Sequence, residues 1–215
     1  MWNLLGFARR PVKRNIMLDF DGTCTKGHSG GTYEVDPMDR ANKTEFESNV
    51  KKWLYDGHNV AIITRGIDKR VEKYFREQLG IQPVMNGFEE GKLSIYAPDE
   101  AMFRQYLQAH HWSYKKPLWA LDFIQKTSAV QNSIPSIFID DTYENVTAMK
   151  EKSKEIPELR GVVSFHVQEG DYMWTFNKVN NEFLQGKLGG GRLRGGKTSS
   201  KKKNKRRRKT KSKRI

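Results

Sequence analysis

The apolar run Ile16-Met17-Leu18 ends in Asp19-Phe20-Asp21-Gly22-Thr23, and this junction constrains the chain more than any other feature. Alternate residues of an extended strand end point the same way, so Asp19 and Asp21 face one site while Phe20 turns into the core. Two carboxylates placed where a core-facing strand runs out repel one another unless a cation lies between them. Magnesium, which prefers oxygen ligands and keeps several waters, is the cation expected. Asp-Gly is also a common turn dipeptide, so the junction takes its meaning from the rest of the chain.

Strand and helix patterns alternate along the body. Ile16–Leu18 reads as a first strand, and Thr44–Tyr55 as a helix with Phe46, Val50 and Trp53 at helical spacing, stopped by Gly57. Val60–Ile63 is nearly all apolar, which suits a parallel strand covered on both faces. Ile67, Val71, Phe75 and Leu79 mark a second helix, and weaker strands are expected near Pro83–Met85 and Leu93–Tyr96. A helix opens at Asp99, another carries Pro117 in its first turn, and Ser136–Ile139 forms a strand closed by Asp140-Asp141. A short helix from Asn145, a strand over Val162–Val167 and a helix around Trp174–Leu184 complete the order. Such alternation predicts an α/β fold: a doubly wound, mostly parallel, Rossmann-like sheet with helices on both faces. Ligands bind beyond the carboxyl ends of the strands in such sheets, where Asp19, Asp21, Thr64, Asp140 and Asp141 all fall.

Charge divides the chain further. The 215 residues carry a net +14, yet residues 192–215 hold 14 Lys/Arg and no acid, so the other 25 basic residues balance all 25 acidic ones. The body is neutral and the tail carries the excess. A domain over 14–186 is expected, after an N-terminal extension 1–13 and before a disordered Gly-rich and Lys/Arg-rich tail, 187–215. The single cysteine, Cys24, permits no intramolecular disulfide and points to a reducing, intracellular compartment. No apolar run reaches the ~18 residues of a membrane span, so no membrane partner is expected.

The four motifs, in their order, resemble those of the haloacid dehalogenase-like (HAD) superfamily over about residues 14–170. Asp19-Phe20-Asp21-Gly22-Thr23 is similar to its first motif, Ile62-Ile63-Thr64 to the second, Lys116-Pro117 to the third and Ile139-Asp140-Asp141 to the fourth. The resemblance implies a phosphoric monoester hydrolase with Asp19 as nucleophile forming an aspartyl-phosphate, and Asp21 as general acid and then base. It further implies Thr64 bound to a phosphoryl oxygen and Lys116 neutralising the charge around Asp19. Lys115 stands beside Lys116, and the Lys-Pro step is the ground for choosing between them. Mg2+ is implied on Asp19, the backbone carbonyl of Asp21 and Asp141, with Asp140 the less favoured ligand of the acidic pair. Arg65 and Gly66 extend the Thr64 loop toward substrate, Arg65 being equally readable as solvated surface. Asn145 either orients the metal waters or begins the next helix. Response-regulator receivers use similar groups, but with an acidic pair first and a single aspartate later, an order that disfavours them here.

The insertion points after Thr23 and over roughly 87–115 are too short for a full cap domain. Gly27-His28-Ser29-Gly30-Gly31-Thr32 reads as a mobile flap. An open site suits a large phosphorylated substrate, such as a nucleic-acid end or a phosphoprotein. The tail 192–215 is expected to bind nucleic acid through charge, with little sequence preference, or to act as a nuclear or nucleolar address. The alternative reading is a non-catalytic domain that merely carries this tail, favoured if Asp21 points away from the site.

Overall fold

The computed structural model describes residues 12–109, 112–128 and 134–188. Its strands are β1 (Asn15–Leu18), β2 (Asn59–Ile63), β3 (Val84–Met85), β4 (Ser94–Tyr96), β5 (Ser136–Asp140) and β6 (Val162–His166). All pair in parallel, in the order β3-β4-β2-β1-β5-β6. Every residue of β1, β2, β4 and β5 is buried, as strands covered on both faces must be. The helices are α1 (Arg40–Tyr55), α2 (Asp68–Gln78), α3 (Glu100–Ala109), α4 (Trp112–Ser128), α5 (Tyr143–Glu155) and α6 (Tyr172–Lys178).

Side-chain alternation along the strands divides the core into two layers. Ile16, Leu18, Val60, Ile62, Ile137 and Ile139 pack with Phe46 and Trp53 of α1, Phe75 of α2 and Phe176 of α6. Met17, Ala61, Ile63, Tyr96 and Phe138 face the other way, against Trp119 and Phe123 of α4 and Met149 of α5. The doubly wound α/β sheet is therefore the observed architecture. The chain fills the β2 side of β1 first and then crosses to β5, so the sheet reverses direction around β1. The crevice that such a reversal opens lies beyond the carboxyl ends of β1 and β5.

Several boundaries differ from the sequence reading. Helix α1 begins at Arg40, a turn before Thr44, because the Asp39 side chain caps it by accepting from the Asn42 amide at 2.8 Å. Helix α5 begins at Tyr143, so Asn145 lies inside its first turn, and the helix is 13 residues long. Pro117 lies inside α4, which starts at Trp112. It forgoes the amide bond to the carbonyl four residues back and crowds that carbonyl, while Trp119, Ala120 and Phe123 of the following turns are buried in the core. The last helix begins at Tyr172, and the chain continues as a π-helical turn, Val179–Phe183. Residues 1–11, His110, His111 and the tail from 189 lie outside the described residues. Among the described residues no helix is long and apolar enough to cross a membrane.

Phe20 turns inward as expected. It is fully buried, 4.9 Å from the Phe75 ring centroid and edge-on to Phe46 at 5.7 Å. Phe20→Ala is expected to cost about 3–5 kcal/mol, read as a lower urea midpoint at unchanged slope.

Candidate active site

The first carboxylate is placed by the sheet itself. The Asp19 amide donates to the Ile139 carbonyl at 2.9 Å, extending the β1–β5 ladder one residue past the strand. The chain then turns at Gly22, whose φ is +77°. A Cβ there would be strained, and would collide with the Asp141 carboxylate and press on the His28 ring. Thr23 secures the same corner, its hydroxyl oxygen accepting the Asp141 amide at 2.9 Å. The glycine of the motif is thus a requirement for the two strand ends to meet.

Lys116 reaches this corner from below. Helix α4 buries Lys116, Trp119, Ala120, Phe123, Ile124 and Thr127, so the lysine lies on the face turned to the sheet. Its ammonium is fully buried, 2.8 Å from Asp19 Oδ1 and 2.7 Å from Asp140 Oδ2. Lys116, rather than Lys115, is therefore the lysine that meets the first motif. Burial works against the ammonium, but Asp140 and Asp19 outweigh it and raise its pKa. Burial pushes Asp19 up to about 6, with Lys116 opposing and Asp141 adding to the rise.

Asp140 and Asp141 take different parts. Asp140 is fully buried; its Oδ1 accepts from the Thr142 amide and from Asn145 Nδ2, both at 2.9 Å, and its Oδ2 holds Lys116. Burial raises its pKa against the pull of Lys116. One oxygen each of Asp19, Asp140 and Asp141 lies within 4.8 Å of the others. Both Asp140 oxygens have protein partners, and all three carboxylates stand close enough to share one cation. Asn145 donates its side-chain amide to Asp140 and does not line the cavity described next.

That cavity, about 190 Å3, is lined by Asp19, Asp21, Thr64, Arg65, Gly66 and His28, with Gly30, Gly31 and Phe103 at its flap side. Asp21 therefore turns toward the site, not away from it. Thr64 follows β2 and accepts the Gly66 amide on its hydroxyl at 3.1 Å. Arg65 reaches Thr142 Oγ1 at 3.4 Å, spanning the β2 and β5 ends. Gly66 admits the Tyr33 ring, since a Cβ there would come 2.8 Å from the tyrosine hydroxyl.

The stretch read as a mobile flap is a hydrogen-bonded turn. Gly30 and Gly31 have φ of +62° and +74°, values that a type I′ turn needs, and the Thr32 amide donates to the Ser29 carbonyl at 3.2 Å. Ser29, His28 and Glu169 were not legible as site residues. Ser29 donates to Asp21, and His28 Nε2 sits 3.0 Å from Glu169 Oε1 and 3.6 Å from Asp141 Oδ2. Only the nearby double glycine hinted at the first, and no spacing marks the second pair. His166 adds a third such contact, donating from Nε2 to the Asp141 carbonyl at 2.9 Å.

In fold the chain is an all-parallel six-stranded α/β sheet whose acidic motifs meet at the carboxyl ends of β1 and β5. No family model matches it, and no curated protein sequence does. Among solved structures it is similar to the HAD domain of the effector Lem4 from Legionella pneumophila, with 14% identity and a TM-score of 0.45, over 79% of this chain and 94% of that one. An inactive mutant of that domain gives 14% identity, a TM-score of 0.44 and the same coverage. The Legionella pneumophila effector Ceg4 gives 15% identity and a TM-score of 0.45, over 86% of this chain and 97% of that one. The likeness is one of fold.

Removing the lysine tests the electrostatics directly. Lys116→Met leaves two buried carboxylates without their counter-charge and is expected to lower stability by about 3–5 kcal/mol, measured by urea unfolding.

Proposed function

We propose that the chain is a magnesium-dependent phosphomonoester hydrolase that works through an aspartyl-phosphate on Asp19. The observation that carries this reading is the buried Lys116 ammonium at 2.8 Å from Asp19, where Asp19 lines one cavity with Asp21, Thr64 and Arg65. A carboxylate lifted to about 6 by burial is still mostly ionised near neutrality, as a nucleophile must be. An Asp19 oxygen attacks phosphorus while the bond from phosphorus to the substrate oxygen breaks, and Asp21 gives its proton to that departing oxygen. A water then attacks the same phosphorus and passes its proton to Asp21, and the bond to Asp19 opens to release phosphate. Thr64 and Arg65 bind phosphoryl oxygens, and Lys116 offsets the charge that gathers around Asp19.

The donor set fits magnesium, since Asp19, Asp141 and the Asp21 carbonyl are all hard oxygen ligands. Three carboxylates crowd one ammonium here, and this excess of negative charge is what a divalent cation relieves. When bound, the ion neutralises charge on the transferring phosphoryl group.

The cavity is smaller than the ~300–1,000 Å3 of pockets that enclose a drug-sized ligand. It therefore takes the phosphoryl group and leaves most of the substrate outside, which favours a large substrate. The tail, with 14 Lys/Arg and no acid over 192–215, gives the protein affinity for nucleic acid. Counterion release makes such binding fall linearly in log affinity against log salt. The full-length protein is expected to bind an oligonucleotide with that steep salt slope. A variant with the cations of 201–209 changed to Gln is expected to lose most of it, by fluorescence anisotropy, and an unchanged slope would remove the tail from the account.

The reaction itself is tested with an aryl phosphate. Turnover by the full chain is expected to require magnesium and to fall to background in Asp19→Asn, while magnesium raises the melting temperature of the wild type. A folded wild type that releases no phosphate from any monoester tried would count against the enzyme and for a binding module.

A further inference from the structure

Asp21 needs support that Asp19 does not. Asp19 continues the β1–β5 ladder, whereas Asp21 lies beyond it, in irregular chain just before the Gly22 turn. In the HAD-like mechanism proposed above, Asp21 must still hold one orientation through two opposite proton transfers. Both of its oxygens are engaged by a single residue. Ser29 Oγ donates to Asp21 Oδ2 at 2.7 Å, and the Ser29 amide donates to Oδ1 at 3.2 Å.

Ser29 is in turn fixed from three directions. Its hydroxyl oxygen accepts the Gly31 amide at 3.0 Å. Its carbonyl accepts the Thr32 amide at 3.2 Å and the Thr32 hydroxyl at 3.0 Å. The residue is 5% exposed, so water does not compete for these bonds. The Gly30-Gly31 turn exists in a form that only glycine adopts without strain, and its product is a serine aimed at a carboxylate.

We infer that Ser29 is the positioning residue for proton transfer by Asp21, an inference that rests on the phosphatase reading. The Gly31 amide occupies one lone pair of the hydroxyl, which turns the Ser29 proton toward Asp21 Oδ2. Oδ2 then accepts the shorter bond, and the transferable proton is carried on Oδ1, whose remaining lone pair takes the Ser29 amide. In the first step that proton leaves Oδ1 for the departing substrate oxygen as its bond to phosphorus breaks. In the second, Oδ1 takes a proton from the attacking water. The Ser29 bonds persist through both, so the carboxyl plane stays fixed.

The consequence depends on the leaving group. An alkoxide is a poor leaving group and needs the proton; a nitrophenolate departs well without one. Full-length wild type and Ser29→Ala are to be compared on an alkyl phosphate and on p-nitrophenyl phosphate, with Ser29→Thr as the variant that keeps the hydroxyl. The readout is the ratio of the two kcat/KM values within one preparation, from which any unfolded fraction cancels. Each kcat/KM reports steps only through departure of the leaving group and so excludes the water step common to both esters. Ser29→Ala is expected to lower kcat/KM on the alkyl ester by about tenfold or more and on the aryl ester by less than about threefold. Ser29→Thr is expected to restore the ratio. Equal losses on both esters, or no loss on either, would overturn the inference and leave the hydrolase standing. Failure of the wild type on both esters would overturn the hydrolase reading, and this inference with it.

Discussion

One buried ammonium organises the carboxyl edge of this sheet. Lys116 lies between Asp19 on β1 and Asp140 on β5, at 2.8 and 2.7 Å, with none of the three exposed beyond a few per cent. Taking such charges from water carries a desolvation penalty that only close geometry and further hydrogen bonds offset. The further bonds are present: Asn145 and the Thr142 amide complete Asp140. The turn into α5, the seat of α4 and the end of β1 are therefore coupled through one cation. A change at any of the three groups is felt by the other two, as buried networks require.

The opposite edge of the sheet shows what a structural solution to buried polarity looks like. At the amino ends of β1, β2 and β5, Asn15 donates to Thr127 and Ser136, and Asn59 donates to Asn15. Those groups are neutral and satisfy one another. At the carboxyl edge the groups are ionisable, and carboxyl groups outnumber the ammonium. Stability alone does not call for that excess, since neutral partners close the other edge without it. The contrast between the edges marks the carboxyl one as the place where the chain holds charge for use.

Much of this was legible from residues alone, and for identifiable reasons. β1, β2 and β5 were readable because buried parallel strands are continuous apolar runs, and their polar terminators stood out against them. Lys116 was readable with less certainty from its Pro neighbour. The better signal was its spacing, because Lys116 precedes Ala120, Phe123, Ile124 and Thr127 on one helix face. A lysine in that stripe conflicts with the local pattern unless it is paired. The resemblance favoured Asp141 over Asp140 as a ligand, but the pairing of Asp140 with Lys116 was not legible, because adjacent residues on a strand end differ only in which face they address. The bond from Asn145 to Asp140 was not legible for a related reason, being a tertiary contact. Ser29, His28 and Glu169 lie in irregular chain, where no period predicts direction.

The two carboxylates of the first motif are separated by one residue yet belong to different mechanical units. Asp19 is held by the sheet ladder and by Lys116, both of which depend on the core. Asp21 is held by a glycine turn followed by Tyr33, whose ring packs on the core, tilted, 5.1 Å from Tyr74 and 6.1 Å from Phe20. The group proposed to attack phosphorus is thus set by the fold, and the group proposed to move protons is set by a short loop laid over it. Such an arrangement lets the loop vary without disturbing the charged floor of the site. It also explains why the motif spans a strand end rather than lying within the strand. A carboxylate inside the ladder cannot turn toward a leaving group, whereas one just past it can, provided a neighbouring segment supplies the order that the ladder no longer does.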